Sequence, residues 1–237
     1  MTKVLNLYAG IGGNRAGWPV DVQVTAVELD PQVAEAYATL WPGDDLVIGD
    51  AHQYLLEHFM DGWGLIWTSP PCPSHSKLRR FEHARGHYVY PRLDMLYGEI
   101  ILLQSFCPPD TAFLVENVIP YYPPLIPPTG QLGRHYAWSN RSLPMVAVDA
   151  YGLRISRDRK SSYRRRKATL SPMECAEETD FQQAYGITLP ACADTWGRYM
   201  RRQVMRNCVD PVIGEAVWDA CLGHEHAHQG TLLEVAA

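Results

Sequence analysis

Val4-Leu5-Asn6-Leu7-Tyr8-Ala9-Gly10-Ile11-Gly12-Gly13, with Val22-Gln23-Val24-Thr25-Ala26-Val27-Glu28-Leu29 shortly after it, decides the fold. The first stretch reads as a short buried strand, Val4–Tyr8, running into a glycine-rich turn, since glycine turns a chain tightly without steric cost. The second reads as a strand with Glu28 near its end. Pro31 then opens a helix through about Leu40, because proline suits the first helical turn. Leu46–Ile48 predicts a third strand ending at Gly49-Asp50, followed by a helix around Gln53–Phe59. Leu65–Thr68 predicts a fourth strand, which runs into Ser69-Pro70-Pro71-Cys72. A helix over Leu93–Phe106 and a fifth strand over Ala112–Glu116 complete the series. Strands alternating with helices indicate an α/β fold: a doubly wound, mostly parallel sheet with helices on both faces.

The remainder changes character. Five prolines (120, 123, 124, 127, 128) between Ile119 and Thr129 exclude a helix or central strand and predict an extended connector. A last strand is expected around Arg134–Asn140. Leu170-Ser171-Pro172-Met173-Glu174 reads as a helix start, with Ser171 as N-cap and Pro172 at the first position. A C-terminal helix is expected over Pro211–Leu222. The last residues, with His224, His226 and His228, read as a frayed tail rather than a metal site, because nothing completes a ligand set.

Composition narrows the class. In 237 residues, 46% are hydrophobic, which suits a globular core. No apolar run approaches the ~18 residues of a membrane span. The N-terminus goes straight into a strand pattern without signal-peptide anatomy, so a cytoplasmic protein is expected. Six cysteines stand far apart with no CxxC pair, which argues against a disulfide framework or structural zinc. Net charge is −5, yet Arg154, Arg157, Arg159, Lys160, Arg164, Arg165, Arg166 and Lys167 crowd one segment with only Asp158 opposing. Such a cluster can neutralise several phosphates even on an acidic protein. A solvated basic loop is the competing reading.

The polar groups of interest fall at carboxyl ends of strands, where open α/β sheets bind ligands. Glu28, Asp50, Cys72 and Glu116 are therefore expected to face one crevice. The glycine run alone also fits a plain strand-to-helix turn. Glu28 sharpens it, because a carboxylate there accepts ribose hydroxyls. Asp50 is placed to accept from an adenine amino group, and together they suggest an adenosine-containing cofactor. No Lys-Ser/Thr follows the glycines, which speaks against a phosphate-gripping loop.

Pro70-Pro71-Cys72-Pro73 presents a thiol on a stiff turn. A buried structural cysteine competes with this reading but gains nothing from the arrangement. Lys77, Arg79 and Arg80 follow, and nearby positive charge favours the thiolate. With Glu116, Cys72 makes a nucleophile-plus-acid pair.

Here a resemblance becomes specific. Leu7–Gly13 resembles the first motif of the C5-cytosine DNA methyltransferases, and Ser69-Pro70-Pro71-Cys72-Pro73-Ser74-His75-Ser76 their proline-cysteine motif. Glu116-Asn117-Val118 resembles their Glu-Asn-Val, and Arg134-His135-Tyr136 their arginine motif. Leu170–Ala176 with Phe181 resembles the ninth motif, and Arg206-Asn207-Cys208-Val209-Asp210-Pro211-Val212 the tenth. The order is the family's own, from residue 4 to about 222.

The resemblance implies a Rossmann-like fold that uses S-adenosyl-L-methionine. Residues 1–140 would form the catalytic domain and 141–169 a minimal basic recognition segment. Residues 170–223 would fold back on the catalytic domain, and 224–237 would be the tail. Cys72 would attack C6 of cytosine, with Glu116 at N3, Asn117 holding the Cys72 loop and Arg134 steadying the base and Glu116. Tyr8, Gly10, Ile11, Gly12, Gly13, Glu28, Leu29, Asp50, Ala51, Pro71, Asn207 and Val209 would line the cofactor site. Ser76, Lys77, Arg79 and Arg80, with the 154–167 basic residues, would contact DNA, either duplex with a flipped base or single-stranded.

The chain departs from the family pattern in three places. Pro73 replaces the usual glutamine, the three-part arginine motif is reduced to Arg134, and only about 29 residues separate Asn140 from Leu170. Short or relaxed specificity, an exposed target, or a protein partner that supplies recognition would follow. An RNA substrate and a catalytically silent scaffold are the alternatives. Restriction protection, phage genome masking and regulation all fit.

Overall fold

The computed structural model describes residues 1–76, 91–144 and 177–223 of the chain. Among these residues, seven strands form one sheet: β1 Lys3–Leu7, β2 Gln23–Glu28, β3 Asp45–Ile48, β4 Leu65–Thr68, β5 Ala112–Val118, β6 Gly130–Leu132 and β7 His135–Ser139. Their order across the sheet is β3-β2-β1-β4-β5-β7-β6. The first five run parallel, whereas β7 lies antiparallel between β5 and β6. The expected doubly wound, mostly parallel sheet is thus found. Two features went unread in the sequence: the short strand β6 and the reversed direction of β7.

The helices are α1 Pro31–Leu40, α2 Ala51–His58, α3 Leu93–Phe106, α4 Glu178–Tyr185, α5 Arg198–Asn207 and α6 Pro211–Leu222. Asp30 and Asp50 cap α1 and α2 by accepting their first backbone N–H groups, which begins each helix just past a strand end. The proline-rich stretch from Ile119 to Thr129 contains neither helix nor strand. The expected helix start at Ser171 and the histidine tail lie outside the described residues.

Alternation along the strands divides the core between the two faces of the sheet. Val4, Leu65, Trp67 and Leu114 pack with Trp18, Tyr37, Ile213, Val217 and Trp218 on one face. Leu5, Leu7, Ile66, Phe113 and Val115 pack with Leu55, Leu96, Ile100 and Leu103 on the other. A third cluster joins Ile11, Val33 and Ala36 to Phe181, Tyr185, Trp196 and Met205, tying α4 and α5 to the N-terminal half.

The C-terminal helix is seated on the glycine turn by backbone contact. A Cβ on Gly214 of α6 would lie 2.2 Å from the Asn14 carbonyl oxygen, and one on Gly17 would lie 2.3 Å from that of Pro211. Gly214→Ala should therefore destabilise the fold by about 1–3 kcal/mol, because backbone rather than a flexible side chain must move. Urea unfolding checks this, with the neighbouring exposed Val212→Ala as the reference expected to change little.

Candidate active site

The carboxyl ends of β1, β2, β3, β4 and β5 open into one cleft of about 530 Å³, within the size range of small-molecule sites. Its lining brings together Tyr8, Gly10, Gly13, Glu28, Leu29, Asp50, Ala51, Pro71, Cys72, Glu116, Asn117, Arg134, Asn207 and Val209 from the expected set. Ile11 and Gly12, also in the expected set, are not among the residues lining it. Ile11 is fully buried in the third cluster and its carbonyl accepts from Trp41 Nε1 at 3.0 Å. A Cβ on Gly12 would meet the Trp41 and Tyr37 rings. These two residues hold the turn.

The turn itself is braced from below. Asn6, fully buried on β1, exchanges amide hydrogen bonds with Asn14 at 2.8 and 3.4 Å. Gly10 adopts φ +56°, with open space where a Cβ would stand, and its N–H donates to Glu28 Oε2 at 2.9 Å. Glu28 Oε1 accepts from Asp30 N at 3.0 Å, so the ribose-binding candidate is oriented through both oxygens. The capping bonds of Asp50 run to its Oδ1 alone. Gly13 fits so closely against Cys208 and Val209 that a Cβ would clash with both. This contact brings Asn207 and Val209 to the cleft.

A buried network beneath Tyr8 had no sequence signal. Tyr8 stands at φ +57°, a left-handed conformation costing a non-glycine residue roughly 1–2 kcal/mol. Its hydroxyl donates at 2.6 Å to Oε1 of Glu99, which is fully buried on α3. The same oxygen lies 2.9 Å from His52 Nδ1, while Thr68 donates to Oε2. Burial, with Glu99 alongside, drives the Tyr8 phenol far above its ordinary range, so it stays a donor.

Cys72 follows β4 on a turn closed by its own carbonyl, which accepts from the N–H groups of His75 and Ser76 at 3.0 and 3.1 Å. Asn117 Nδ2 donates to the Pro70 carbonyl at 2.7 Å, tying that turn to β5. The proline-rich connector is a clamp as well as a link: buried His75 lies 2.5 Å from the Tyr122 hydroxyl through Nδ1 and accepts from Tyr121 N. Burial and the neighbouring Glu116 push the Cys72 thiol up, against weaker opposing charge from Arg134 and Arg206. Lys77, Arg79, Arg80 and the whole 154–167 basic run lie outside the described residues.

Arg134 is exposed at the cleft, its Nη2 3.4 Å from the Arg206 carbonyl. Four cleft residues on α5, Tyr199, Met200, Gln203 and Val204, were not read from sequence. Their signal was there: positions 200, 203, 204 and 207 form one helical stripe. Frequent arginines masked it.

A family profile of C-5 cytosine-specific DNA methylases matches residues 2–120, just over half the chain. The chain belongs to the C-5 cytosine-specific DNA methylases. A search of curated proteins returns no match. Among solved structures it is similar to the Entamoeba histolytica methyltransferase EhMeth, at 9% identity and TM-score 0.55 over 95% of this chain and 99% of that one. It is likewise similar to a mutant Spodoptera frugiperda DNMT2, at 14% identity and TM-score 0.52 over 92% and 98%. Those likenesses are of fold, and with them the sheet of this methylase is a Rossmann-like methyltransferase fold. No helix among the described residues is long and apolar enough to cross a membrane. The described residues contain no cluster of three metal-ligating side chains.

Two outcomes test this electrostatic picture. In the free methylase, iodoacetamide should modify Cys72 several-fold more slowly than a free peptide thiol at pH 7.5, with a midpoint above the usual ~8.5. Peptide mass spectrometry reads it. The Glu99 hydrogen bond raises the His52 pKa against its partial burial. The linked stability is then fully present below about pH 6.5 and is lost as pH rises through the raised value. His52→Gln should cost stability at pH 6 and little at pH 9, as read by denaturant midpoints.

Proposed function

We propose that this methylase transfers a methyl group from S-adenosyl-L-methionine to C5 of cytosine in DNA through a covalent bond between Cys72 and C6. One observation carries the reading: Cys72, Glu116 and Arg134 share a single cleft with Glu28 and Asp50, so nucleophile, acid and cofactor groups meet. The donor set suits the cofactor. Glu28 and Asp50 end neighbouring strands as hydrogen-bond acceptors for sugar hydroxyls and an exocyclic amine. Leu29, Val33, Ala51, Pro71 and Met95 supply apolar wall. Gly10 leaves the room a side chain would fill. Tyr8, Gly13, Asn207 and Val209 would complete the site.

The protein's own groups then do the following. Cys72 gives its proton to water and its sulfur bonds to C6, while Glu116 gives a proton to N3, so electron density gathers at C5. Arg134 faces the same charge and steadies base and carboxylate. The bound cofactor supplies the electrophilic methyl that C5 takes. Water then takes the C5 proton as the C6–sulfur bond breaks, the sulfur leaves as thiolate and regains a proton from water, and N3 returns its proton to Glu116. Asn117 keeps the Pro70 carbonyl, and with it the Cys72 turn, in place. Its buried Oδ1 has no hydrogen-bond partner among the described residues, leaving an acceptor for a bound ligand. The target carbons are unreachable in a stacked duplex, so the base enters flipped or unpaired. Ser76, Lys77, Arg79, Arg80 and the basic residues 154–167 are assigned to phosphate contacts, which position without reading sequence. Recognition is then short, relaxed or supplied by a protein partner.

The test is incubation with S-adenosyl-L-methionine and unmodified DNA, then nucleoside mass spectrometry for 5-methyldeoxycytidine. Product should form and fall by at least about 10³-fold in Cys72→Ala and about 10²-fold or more in Glu116→Gln. DNA carrying 5-fluorocytosine should trap a denaturation-resistant complex with the wild type and not with Cys72→Ala. Product from RNA alone would move the substrate assignment. No product and no trapped complex from either nucleic acid would overturn the proposal.

A further inference from the structure

His135 stands beside Glu116 because β7 runs antiparallel to β5. The register pairs His135 with Val118 and Ala137 with Glu116. Glu116 and Val118 are two apart and share a face, so His135 is the diagonal cross-strand neighbour of Glu116. Its Nδ1 lies 3.5 Å from Glu116 Oε2, and the two side chains are only 17% and 10% exposed. That separation is just outside a formed hydrogen bond, a looseness compatible with a catalytic pair. Both residues line the cleft.

We propose that His135 is the proton partner of Glu116, its imidazole and the carboxyl group holding one proton between them so that Glu116 has a proton for the target base. The inference rests on the reading of Glu116 as the acid at N3. The groups facing the pair are Arg134, just before β7, and Cys72 on the turn after β4, with Arg206 of α5 acting on Cys72. Burial holds the His135 imidazole below its ordinary range, and Arg134 adds to this, while Glu116 opposes it. A neutral ring nitrogen can accept a hydrogen bond from a carboxyl O–H. Deeper in the same dry site, an unpaired carboxylate would have no such partner. The proton balance closes within a turnover. The proton leaves Glu116 for N3 as the sulfur–C6 bond forms, and returns when that bond breaks, with His135 holding the carboxyl ready between the two events.

Two measurements test the pairing. Carbon-13 histidine ring titrations of the free protein, assigned with His135→Asn, should show the His135 midpoint falling by about one pH unit in Glu116→Gln, since the removed carboxylate favours the charged ring. Profiles of kcat against pH should show His135→Asn losing about tenfold more activity at pH 8 than at pH 6, relative to wild type. A His135 midpoint indifferent to Glu116→Gln, or parallel kcat profiles, would overturn the proposal. If the wild type makes no product while its His135 titration responds to Glu116→Gln, the pairing is supported and the methyl-transfer reading is the one that fails.

Discussion

The structure depends on one constraint, the tight reversal of the chain at the end of β1. Tyr8, Gly10 and Gly12 all take positive φ within five residues. Such backbone survives only where its surroundings over-determine it. Here the Asn6–Asn14 amide pair holds it from below, Glu28 from the side and Glu99 through the Tyr8 hydroxyl. The same turn is the seat for the C-terminal helices, because Gly13, Gly17 and Gly214 allow backbones to meet where side chains would not fit. The cleft floor and the attachment of residues 178–222 are therefore one packing problem with one solution.

The buried Arg15–Asp44 pair extends this support outward. Arg15 Nε lies 2.9 Å from Asp44 Oδ2, Tyr37 donates to the same oxygen at 2.7 Å, and the guanidinium sits over the Trp41 ring. Two charges taken from water gain stability only when their remaining hydrogen bonds are met. Arg15 meets its own in part through the Pro19 carbonyl. The network fixes the α1–β3 corner against the glycine turn, and so keeps Glu28 and Asp50 on a rigid edge.

In the cleft, burial and charge compete over Cys72, and among the described residues burial wins. A thiol kept neutral at rest is protected from stray oxidation or alkylation. The dry environment that disfavours the thiolate also strengthens every remaining electrostatic interaction in the cleft.

The sequence by itself determined the alternation of strand and helix, the carboxyl-end placement of Glu28, Asp50, Cys72 and Glu116, and the family motifs. Those follow from local rules: hydrophobic period, proline and glycine punctuation, and capping by Asp30 and Asp50. The helices α4 and α5 were less legible, because their apolar stripes are narrow and α5 is crowded with arginine. Only the tertiary structure decided that β7 runs antiparallel, that Ile11 and Gly12 support the turn instead of lining the cleft, and that Glu99 lies beneath Tyr8. It alone brought His135 to Glu116. Each of these rests on contacts between residues far apart in the chain, where direction, register and burial are set by global packing. No local pattern of residues encodes them.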